Sequence, residues 1–460
     1  MKQKQRKILC ILAAAALSLC ALPQNGAPVL RPAVTASAAD LTEGDFSYTI
    51  NEDGTGVTIT KWQGKDKNAV IPQQIAGLPV STIAGWAFYD CMDLESVVLP
   101  EGLKEIGESA FSGCVSLKDA AIPASVTAIG VQAFAGCEAL EGIEIPAGVT
   151  QIGANAFRET AWLAEQQKNN PLVIINGILI DATTVKEFVT IPGEVTRIGA
   201  MAFASNYMMN GISIPESVTV IDNEAFYSCT GLTSLTVPDS VKSIGYSAFY
   251  GCSNLTSIVL PSGLTEIAES MCFGCESLTS VAIPEGVTVI GNSAFYSCRK
   301  MNSVSIPGTV KTIDVRAFAA CTGLKEFVIP DGVETIGFNA FMMSKLKRIT
   351  IPDSVRSIGD AAFSGCPRIV ICANTGSYAE QYAKQNELAF ESTGTAKKRG
   401  DMNGDGTVNL KDVILLRRAL ADRTSPIDTA VADVNRDGDV NLKDVVLMRR
   451  YIAGGWNVSL

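Results

Sequence analysis

A 23-residue period runs through most of this 460-residue chain and constrains its fold more than any other feature. The block at residues 145–157 begins with Ile-Pro, continues with Ile-Gly and ends with Ala-Phe, and most copies carry a Cys three residues after the Phe. A unit this short cannot bury its own apolar side chains, whereas stacked copies share one continuous core. The period therefore predicts a solenoid.

Each copy also carries the pattern of a short β-strand. Segments such as Leu232–Val237 place apolar residues on one side and end at a proline, which cannot donate a hydrogen bond to a β-ladder. The Phe position recurs from Phe88 to Phe363, and the 46-residue gap before Phe203 spans two periods centred on Ile180. The sequence therefore predicts a β-rich solenoid of about thirteen turns, with one strand in each turn.

Nine cysteines occupy one column of the repeat, three residues after the Phe position. They are Cys91, Cys114, Cys137, Cys229, Cys252, Cys275, Cys298, Cys321 and Cys366. A disulfide requires Cβ atoms about 3.8 Å apart, closer than the ~4.8 Å step between stacked strands, so we expect free structural thiols. Cys272 falls in the Phe column, so the repeat explains the CxxC spacing of Cys272 and Cys275 without a redox or zinc site.

An aromatic side chain follows the Phe position on four consecutive turns. These residues are Tyr227, Tyr250, Phe273 and Tyr296. Stacking of like residues along a solenoid explains them, because aromatic pairs gain packing energy from one another. A flat ligand platform for sugar rings or a protein partner is the alternative.

The Ile-Pro, Ile-Gly and Ala-Phe-x-x-Cys elements resemble the BspA-like leucine-rich repeat family of bacterial secreted and surface proteins. The resemblance extends from about Phe46 to Phe390 and implies a leucine-rich-repeat solenoid, which we place at residues 62–372. A hairpin at residues 40–61 and a cap at residues 373–390 are expected to cover the ends, which would otherwise expose unpaired edges.

Two acidic twelve-residue loops follow a short polar linker, residues 391–400, and begin 32 residues apart. Each has oxygen-bearing side chains at positions 1, 3, 5, 9 and 12, a backbone carbonyl at position 7 and Gly at position 6, which suit a calcium ion. Each loop precedes an apolar helix, so the pattern predicts two calcium ions. The candidate ligands are Asp401, Asn403, Asp405, Thr407, Asn409, Asp412, Asp433, Asn435, Asp437, Asp439, Asn441 and Asp444.

Residues 401–453 resemble dockerin type I modules, because position 12 of each loop is Asp and no entering helix precedes Asp401. The resemblance implies a small all-α calcium-binding domain that binds a cohesin module of a scaffold protein in a cellulosome, the assembly with which anaerobes degrade plant polysaccharides. It also implies a set of cohesin contacts that is identical in the two copies. These are Leu410, Lys411, Arg417 and Arg418, then Leu442, Lys443, Arg449 and Arg450.

The first 39 residues have the layout of a secretory signal peptide, with basic residues before an apolar run from Ile8 to Leu22 and small residues before Asp40. We expect a secreted, extracellular protein that is associated with a scaffold or a cell surface. No later stretch approaches the ~20 apolar residues of a membrane span. Loss of residues 1–39 takes the formal charge from -10 to -15, which disfavours nucleic acid and anionic lipid as partners.

The absence of histidine excludes His-dependent catalytic triads, His general bases and HExxH zinc sites. Carboxylates are scattered, without a recurring acid and base pair. We therefore predict a non-catalytic binding or adhesion protein that its dockerin anchors to a cohesin-bearing scaffold, with an unknown protein or polysaccharide as the ligand of the solenoid. A cryptic polysaccharide-degrading glycoside hydrolase and a passive spacer are the alternatives.

Overall fold

The computed structural model describes residues 40–395, 399–404, 407–422 and 427–454. The first of these ranges forms a β-solenoid of about 15 turns, slightly more than the thirteen that the sequence predicted. The Phe column undercounts the turns, because Val57–Trp62 already pairs in parallel with the next turn before the column begins. The signal peptide predicted at the N-terminus lies outside the described residues.

Most turns contribute two short strands, where the sequence predicted one. The first series carries the Ile of the Ile-Gly motif, and the second series carries the segment before the proline. Strands of one series pair in parallel, and in regular turns each residue pairs with the residue 23 positions later, as Ile106 does with Ile129. Most strands of the first series have two residues, too few for a visible alternation, so the sequence pattern did not reveal them.

The strand bounds follow this two-series arrangement. The first series consists of Val57–Trp62, Leu78–Ile83, Glu105–Ile106, Ala128–Ile129, Gln151–Ile152, Ile178–Asp181, Arg197–Ile198, Val220–Ile221, Ser243–Ile244, Glu266–Ile267, Val289–Ile290, Thr312–Ile313, Thr335–Ile336 and Ser357–Ile358. The second series consists of Asn68–Val70, Ser96–Val98, Asp119–Ala121, Glu187–Thr190, Met209–Ser213, Ser234–Thr236, Ser257–Val259, Ser280–Ala282, Ser303–Ser305, Glu326–Val328, Arg348–Thr350, Val370–Thr375 and Ala389–Thr395. The remaining strands are Leu41–Glu43, Phe46–Ile50, Gln74–Ile75 and Val173–Ile175.

Stacked phenylalanine rings fill the core. Successive rings of the Phe column lie 4.8 to 5.8 Å apart, and Cys272 takes the place of one ring, fully buried. The neighbouring thiols donate to the carbonyl oxygen at the Phe position of the preceding turn, as Cys252 does to Phe226 at 3.1 Å. Every cysteine in the described residues is a free thiol.

Two positions in each regular turn adopt a left-handed backbone. One is the third residue after the Ile of the first series, as at Ser247 with φ of 53°, and the other is the second residue after the Phe, as at Gly251 with φ of 70°. Gly113 has φ of 79°, and a Cβ atom there would meet the Asp90 carboxylate, so glycine is favoured at that position. These two columns form the tight corners between the strand series.

An inserted helix interrupts the repeat between Phe157 and Phe203. Helix α1, Ala161–Asn169, replaces part of a regular turn, and the Thr160 hydroxyl caps it by accepting the Leu163 N–H at 3.1 Å. Thr160 is itself buried. The 46-residue gap in the Phe column therefore marks a change in chain path and not only a weakened motif.

The turn after helix α1 is shorter than the others. Leu179 takes the Ile position, and Ala182 takes the place of the Phe, with its N–H donating to the Ala202 carbonyl oxygen at 2.6 Å. Because this turn contributes no ring to the column, the buried side chains divide into two clusters. One cluster spans residues 46–178 and the other spans residues 172–383.

Helix α2, Tyr378–Gln385, and a final strand close the C-terminal end of the solenoid. Ala389–Thr395 pairs in parallel with Val370–Thr375. The strand thus includes the first half of the segment assigned to a linker, residues 391–400, because the open edge of the solenoid offers backbone groups that a further strand can satisfy. Residues 396–398 of that segment lie outside the described residues.

The remaining described residues form a small helical unit. Its helices are α3 (Leu410–Ala421), α4 (Thr429–Ala432) and α5 (Leu442–Ile452). The fully packed side chains between them are Val413, Leu416, Ala432, Val434, Val445 and Met448. Capping boxes at Asn409 and Asn441 start α3 and α5 ahead of their apolar segments. Within the described part of the chain, no helix is long and apolar enough to span a membrane.

Candidate functional site

The second acidic loop curls around its first carboxylate. Asp433 accepts the backbone N–H of Arg436 at 2.8 Å and that of Gly438 at 3.1 Å. Both donors have a left-handed backbone, with φ of 65° and 88°. Asp437 in turn accepts the N–H of Asp439 at 3.1 Å. The backbone therefore holds the carboxylates of positions 1 and 5 in place through bonds made within the loop itself.

The carboxylate at position 12 ties each loop to the start of its helix. Asp444 is fully buried and accepts the N–H of Asn435 at 3.0 Å through one oxygen and the N–H of Asn441 at 2.8 Å through the other. Asp412, also fully buried, accepts the N–H groups of the same two loop positions at 3.2 and 2.8 Å. An Asp at position 12 thus reaches both the loop and the helix cap.

The first acidic loop is described in part. Asp401 at position 1 is buried, and Gly404 at position 4 is left-handed with φ of 72°, as Arg436 is at the same position of the second loop. The predicted ligand Asp405 and the glycine at position 6, Gly406, lie outside the described residues. Where both loops are described, their backbones follow the same path.

The donor chemistry of the two loops fits calcium. Each loop offers carboxylate, amide and carbonyl oxygens from closely spaced positions, which is the set that a hard cation of high coordination number prefers. Across the described residues, no three His, Cys, Asp or Glu side chains converge into a metal cluster. In the second loop the carboxylates instead accept hydrogen bonds from backbone N–H groups and from Lys443.

All eight residues predicted to contact a partner are exposed on helices α3 and α5. Leu410 and Leu442 are 62% and 68% exposed, and each is followed one helical turn later by a second exposed apolar side chain, Ile414 or Val446. The spacing of i, i+4, i+7 and i+8 puts the apolar pair and the two arginines on one face of each helix. Ile414 and Val446 were missed in the sequence because they fall within apolar segments that suggested a core.

One predicted partner contact is paired with a predicted calcium ligand. Lys443 Nζ lies 3.0 Å from Asp437 Oδ2. The hydrogen bond from Lys443 lowers the pKa of the Asp437 carboxyl, and the same bond raises the pKa of the Lys443 ammonium group. A cation in this loop competes with Lys443 for the same oxygen.

The aromatic stripe of the solenoid consists of rings stacked face to face. Ring centroids lie 4.9 Å apart between Tyr227 and Tyr250, and 4.5 Å apart both between Tyr250 and Phe273 and between Phe273 and Tyr296. The rings are half-buried and nearly parallel, within 7° to 8°. A flat platform would expose ring faces, whereas these rings cover one another's faces and present their edges.

Comparison with protein families matches both parts of the chain. The BspA type leucine rich repeat region matches residues 67–179, 181–302, 254–370 and 288–393, which together exceed half of the chain. The dockerin type I domain matches residues 399–453. No curated protein in the search matches the chain.

Several solved structures of leucine-rich repeat proteins are similar to the chain. A leucine-rich repeat protein from Bacteroides ovatus is 26% identical, with a TM-score of 0.45, and the match covers 77% of this chain and 99% of that one. A leucine rich cell surface protein from Faecalibacterium prausnitzii is 28% identical, with a TM-score of 0.38 and the same coverage of 77% and 99%. From the family matches, the chain belongs to the BspA type leucine-rich repeat family and carries a dockerin type I domain at residues 399–453.

Proposed function

We propose that this protein is a secreted, non-catalytic binding protein that its calcium-loaded dockerin anchors to a cohesin module of a scaffold, in the setting of plant polysaccharide degradation. The observation that carries the proposal is the exposed face of Leu410, Ile414, Arg417 and Arg418 on helix α3, which helix α5 repeats. Each face begins at the residue that follows the predicted ligand at loop position 9. The ion and the docking face are thus adjacent.

The composition of the face supports a protein partner. Leu410 and Leu442 leave most of their surface in water, although burial of such a side chain is worth roughly 1.5–3 kcal/mol. Arginine is one of the residues most enriched in binding hot spots, and the exposed apolar side chain beside it adds surface that a partner can bury. The chain is acidic overall, so a cluster of arginines on each of two short helices sets the docking faces apart from the rest of the surface.

The duplication supports two orientations of binding. The two faces carry Leu, Lys, Arg and Arg at equivalent positions, and they differ only in Ile414 against Val446 at the second apolar position. A partner that fits one face therefore also fits the other after a half-rotation of the dockerin. Only one face needs to be engaged at a time.

Calcium would be held by the six predicted positions of each loop. The ion supplies the positive charge that lets these carboxylates lie close together. Asp412 and Asp444 link the loops to the helices, because each carboxylate accepts one N–H group from its loop and one from the residue that caps its helix. Loading with calcium therefore fixes the start of α3 and α5, where the docking faces begin.

Several observations support a role in binding and not in catalysis. The solenoid is built from short strands whose outward positions are mostly small and hydroxylated, as at Ser234, Ser257 and Ser280. Histidine is absent from the sequence. The signal-like N-terminus and the absence of a later membrane-length apolar stretch support secretion. A reducing-sugar assay on plant-fibre polysaccharides tests this point, and release of sugar by the purified protein would refute a non-catalytic role.

Binding to a panel of type I cohesin modules tests the docking proposal. We expect paired substitutions in one copy, Leu410→Ala with Arg418→Ala or Leu442→Ala with Arg450→Ala, to weaken the best cohesin by no more than about 3-fold, because the other face remains. The four substitutions together should weaken it by at least about 100-fold, since hot-spot residues contribute about 2 kcal/mol or more each. Isothermal titration in calcium measures both.

Arg356→Ala, an exposed arginine of the solenoid, is the matched control and should leave cohesin binding unchanged. If the variant with all four substitutions binds cohesin as tightly as the unchanged protein does, the proposed docking faces are wrongly assigned. If one copy alone abolishes binding, the protein docks in a single orientation.

A further inference from the structure

The interruption of the repeat leaves a gap in the side of the solenoid. In regular turns a left-handed residue follows three positions after the Ile of the first strand series, but the short turn through Leu179 omits this position. Consequently Asn155 and Met201, two periods apart, meet directly, with Asn155 Nδ2 3.1 Å from Met201 Sδ. The left-handed corner that a regular turn would place between the corners at Asn155 and Met201 is therefore missing.

Helix α1 forms a wall beside this gap without filling it. A cleft of about 470 Å³ remains, between the corner at Arg158 and Glu159 on one side and the corner at Ala204 and Ser205 on the other. This volume lies within the roughly 300–1,000 Å³ typical of small-molecule sites. All the residues that line the cleft are described.

The floor of the cleft carries a polar network. The Asp181 carboxylate accepts the Gln167 side-chain amide at 2.8 Å, the Thr183 N–H at 3.2 Å and the Thr183 hydroxyl at 3.1 Å. Asp181 is half-buried, and burial raises the pKa of its carboxyl. All three bonds go to Oδ1 of Asp181, whereas Oδ2 is contacted by the Thr183 hydroxyl alone, at 3.3 Å, so Oδ2 has capacity for a ligand hydroxyl. The amide oxygen of Gln167 is a second acceptor in the same place.

The walls combine charge pairing with apolar surface. Arg158 Nη2 lies 3.3 Å from Glu159 Oε1, so these two charges at the rim offset one another. Leu163, Met201 and Ala204 supply apolar surface to the same cleft. With Asp181, the cleft has a net negative charge, several hydrogen-bond acceptors and donors, and an apolar side.

We propose that this cleft binds an uncharged saccharide. A sugar ring presents hydroxyl groups, each able to donate and accept, around an apolar face of C–H groups, and the cleft offers a partner for both. An anionic ligand would be repelled by Asp181, and an apolar ligand would leave the remaining acceptor capacity of Asp181 and Gln167 unsatisfied in a dry site. The inference rests on the proposed function as a binding protein and names its ligand class.

The aromatic stripe extends the same site. Ala204 occupies the column of the stripe one turn before Tyr227. Because alanine carries no ring, the outer face of Tyr227 is not stacked as the inner faces are. Ala204 itself lines the cleft, so the column of the stripe leads from Tyr227 to the cleft. A saccharide longer than one unit would extend from the cleft past Ala204 towards Tyr227.

Isothermal titration of the full protein with cellohexaose, xylohexaose and mannohexaose tests the proposal, with hexagalacturonic acid as the anionic probe. We expect at least one uncharged hexasaccharide to bind and the anionic one to bind at least about 10-fold more weakly. Asp181→Asn and Gln167→Ala should each weaken binding about 10-fold or more, because each removes a hydrogen bond to the ligand. Tyr227→Ala should weaken it less.

A pair of helix variants separates the cleft from the rest of the solenoid. Ala164 is exposed on α1 and lines the cleft, so Ala164→Trp fills the cleft and should abolish hexasaccharide binding. Glu165, its exposed neighbour, does not line the cleft, and Glu165→Trp should bind as the unchanged protein does. Thermal unfolding of both variants checks that the solenoid remains folded.

The proposal is overturned if no uncharged hexasaccharide binds at millimolar concentration, if the anionic probe binds more tightly than the uncharged ones, or if Ala164→Trp leaves binding intact. Cohesin binding, measured on the same samples, distinguishes this failure from failure of the docking proposal. The cleft variants should bind cohesin unchanged, because the cleft and the docking faces involve separate residues.

Discussion

The solenoid and the dockerin of this chain bury different kinds of polar group. In the solenoid, the repeating buried heteroatom is a thiol, which donates to a carbonyl oxygen of the preceding turn. In the dockerin, the buried groups include Asp401, Asp412 and Asp444, whereas no Asp or Glu residue in the described part of the solenoid is buried as a whole. A buried thiol is stable while it is neutral, whereas crowded carboxylates are stable when a cation offsets their charge.

The two regions also differ in how much core they possess. Stacked turns share buried side chains with both neighbours, so the solenoid gains stability from repetition. The dockerin packs few side chains between two short helices, and a domain of that size usually requires a metal or another staple. One chain therefore contains a region that depends on neighbouring turns and a region that we expect to depend on an ion.

Removal of calcium is the strongest test of this difference between the solenoid and the dockerin. An excess of EDTA should unfold residues 399–454 and leave the solenoid intact, since each ion at about 1,000 times its Kd contributes about 4 kcal/mol. Hydrogen exchange resolved by peptide should show loss of protection in α3 and α5 only. Equal loss in both regions, or in neither, would contradict the comparison.

Alkaline pH should produce the opposite pattern. Hydrogen bonding to a neighbouring thiol, together with burial, raises the pKa of Cys229 and Cys275, and burial raises the pKa of Cys298. Their stabilising contribution is complete below the unfolded pKa of about 8.5 and is lost as pH rises towards the folded pKa. Well above the unfolded pKa, each thiol costs about 1.4 kcal/mol per pH unit, so the three thiols together cost about 4 kcal/mol between pH 8.0 and pH 9.5.

Denaturant titrations of the solenoid at pH 8.0 and pH 9.5 measure this loss of unfolding free energy. The Cys229→Ser, Cys275→Ser and Cys298→Ser triple variant is the control, because a hydroxyl keeps the donor but does not ionise in this range. Between these two pH values, the unfolding free energy of the variant should fall by about 4 kcal/mol less than that of the unchanged protein. Residues 399–460 contain no cysteine, so the dockerin should show no such dependence when calcium is present.

Asp444→Ala should destabilise the dockerin by about 3 kcal/mol. The substitution leaves the N–H groups of Val434, Asn435 and Asn441 without their carboxylate and removes a predicted calcium ligand from the loop. Calcium-dependent thermal unfolding measures the loss. Asp439→Ala is the control, because position 7 is expected to bind through its backbone carbonyl, and a similar loss there would contradict the assigned roles.

The smallest expected effect concerns Lys443. Lys443→Met removes the cation that competes with calcium for Asp437, so calcium affinity of the second loop should rise by about 2- to 3-fold, as expected for an exposed ion pair. Calcium titration followed by NMR of each loop separates the two sites. The first loop should be unaffected, and weaker calcium binding in the second loop would show that Lys443 supports the loop instead of competing.

Periodicity made most of the solenoid predictable. A 23-residue step fixed the Phe column and explained Cys272, because these side chains face the shared core. The strand of the first series in each turn could not be predicted, because two residues are too few for a visible alternation of side chains. The extra turns at the ends were missed for a different reason, since Ala389–Thr395 pairs through its backbone.

The sites were predictable where chemistry is local in the sequence. The two acidic loops carry their candidate donors within twelve residues, so the sequence alone was enough to predict them as calcium sites. The start of the dockerin was harder to place, because Arg399, assigned to the linker, donates to the Asp433 carbonyl oxygen at 2.6 Å. The cleft could not be seen, because it arises from residues that a short turn omits, and its only signal was the 46-residue gap.

The division of the core into two clusters also has a mechanical meaning. Phe157 packs against Trp162 of the inserted helix, at 5.0 Å, and not against a ring of the next turn. When the dockerin is held and a ligand pulls on the repeats, the load crosses this junction. A repeat array parts first where coupling between neighbours is weakest. The solenoid should therefore yield to force in two successive extensions, with one half still folded after the first.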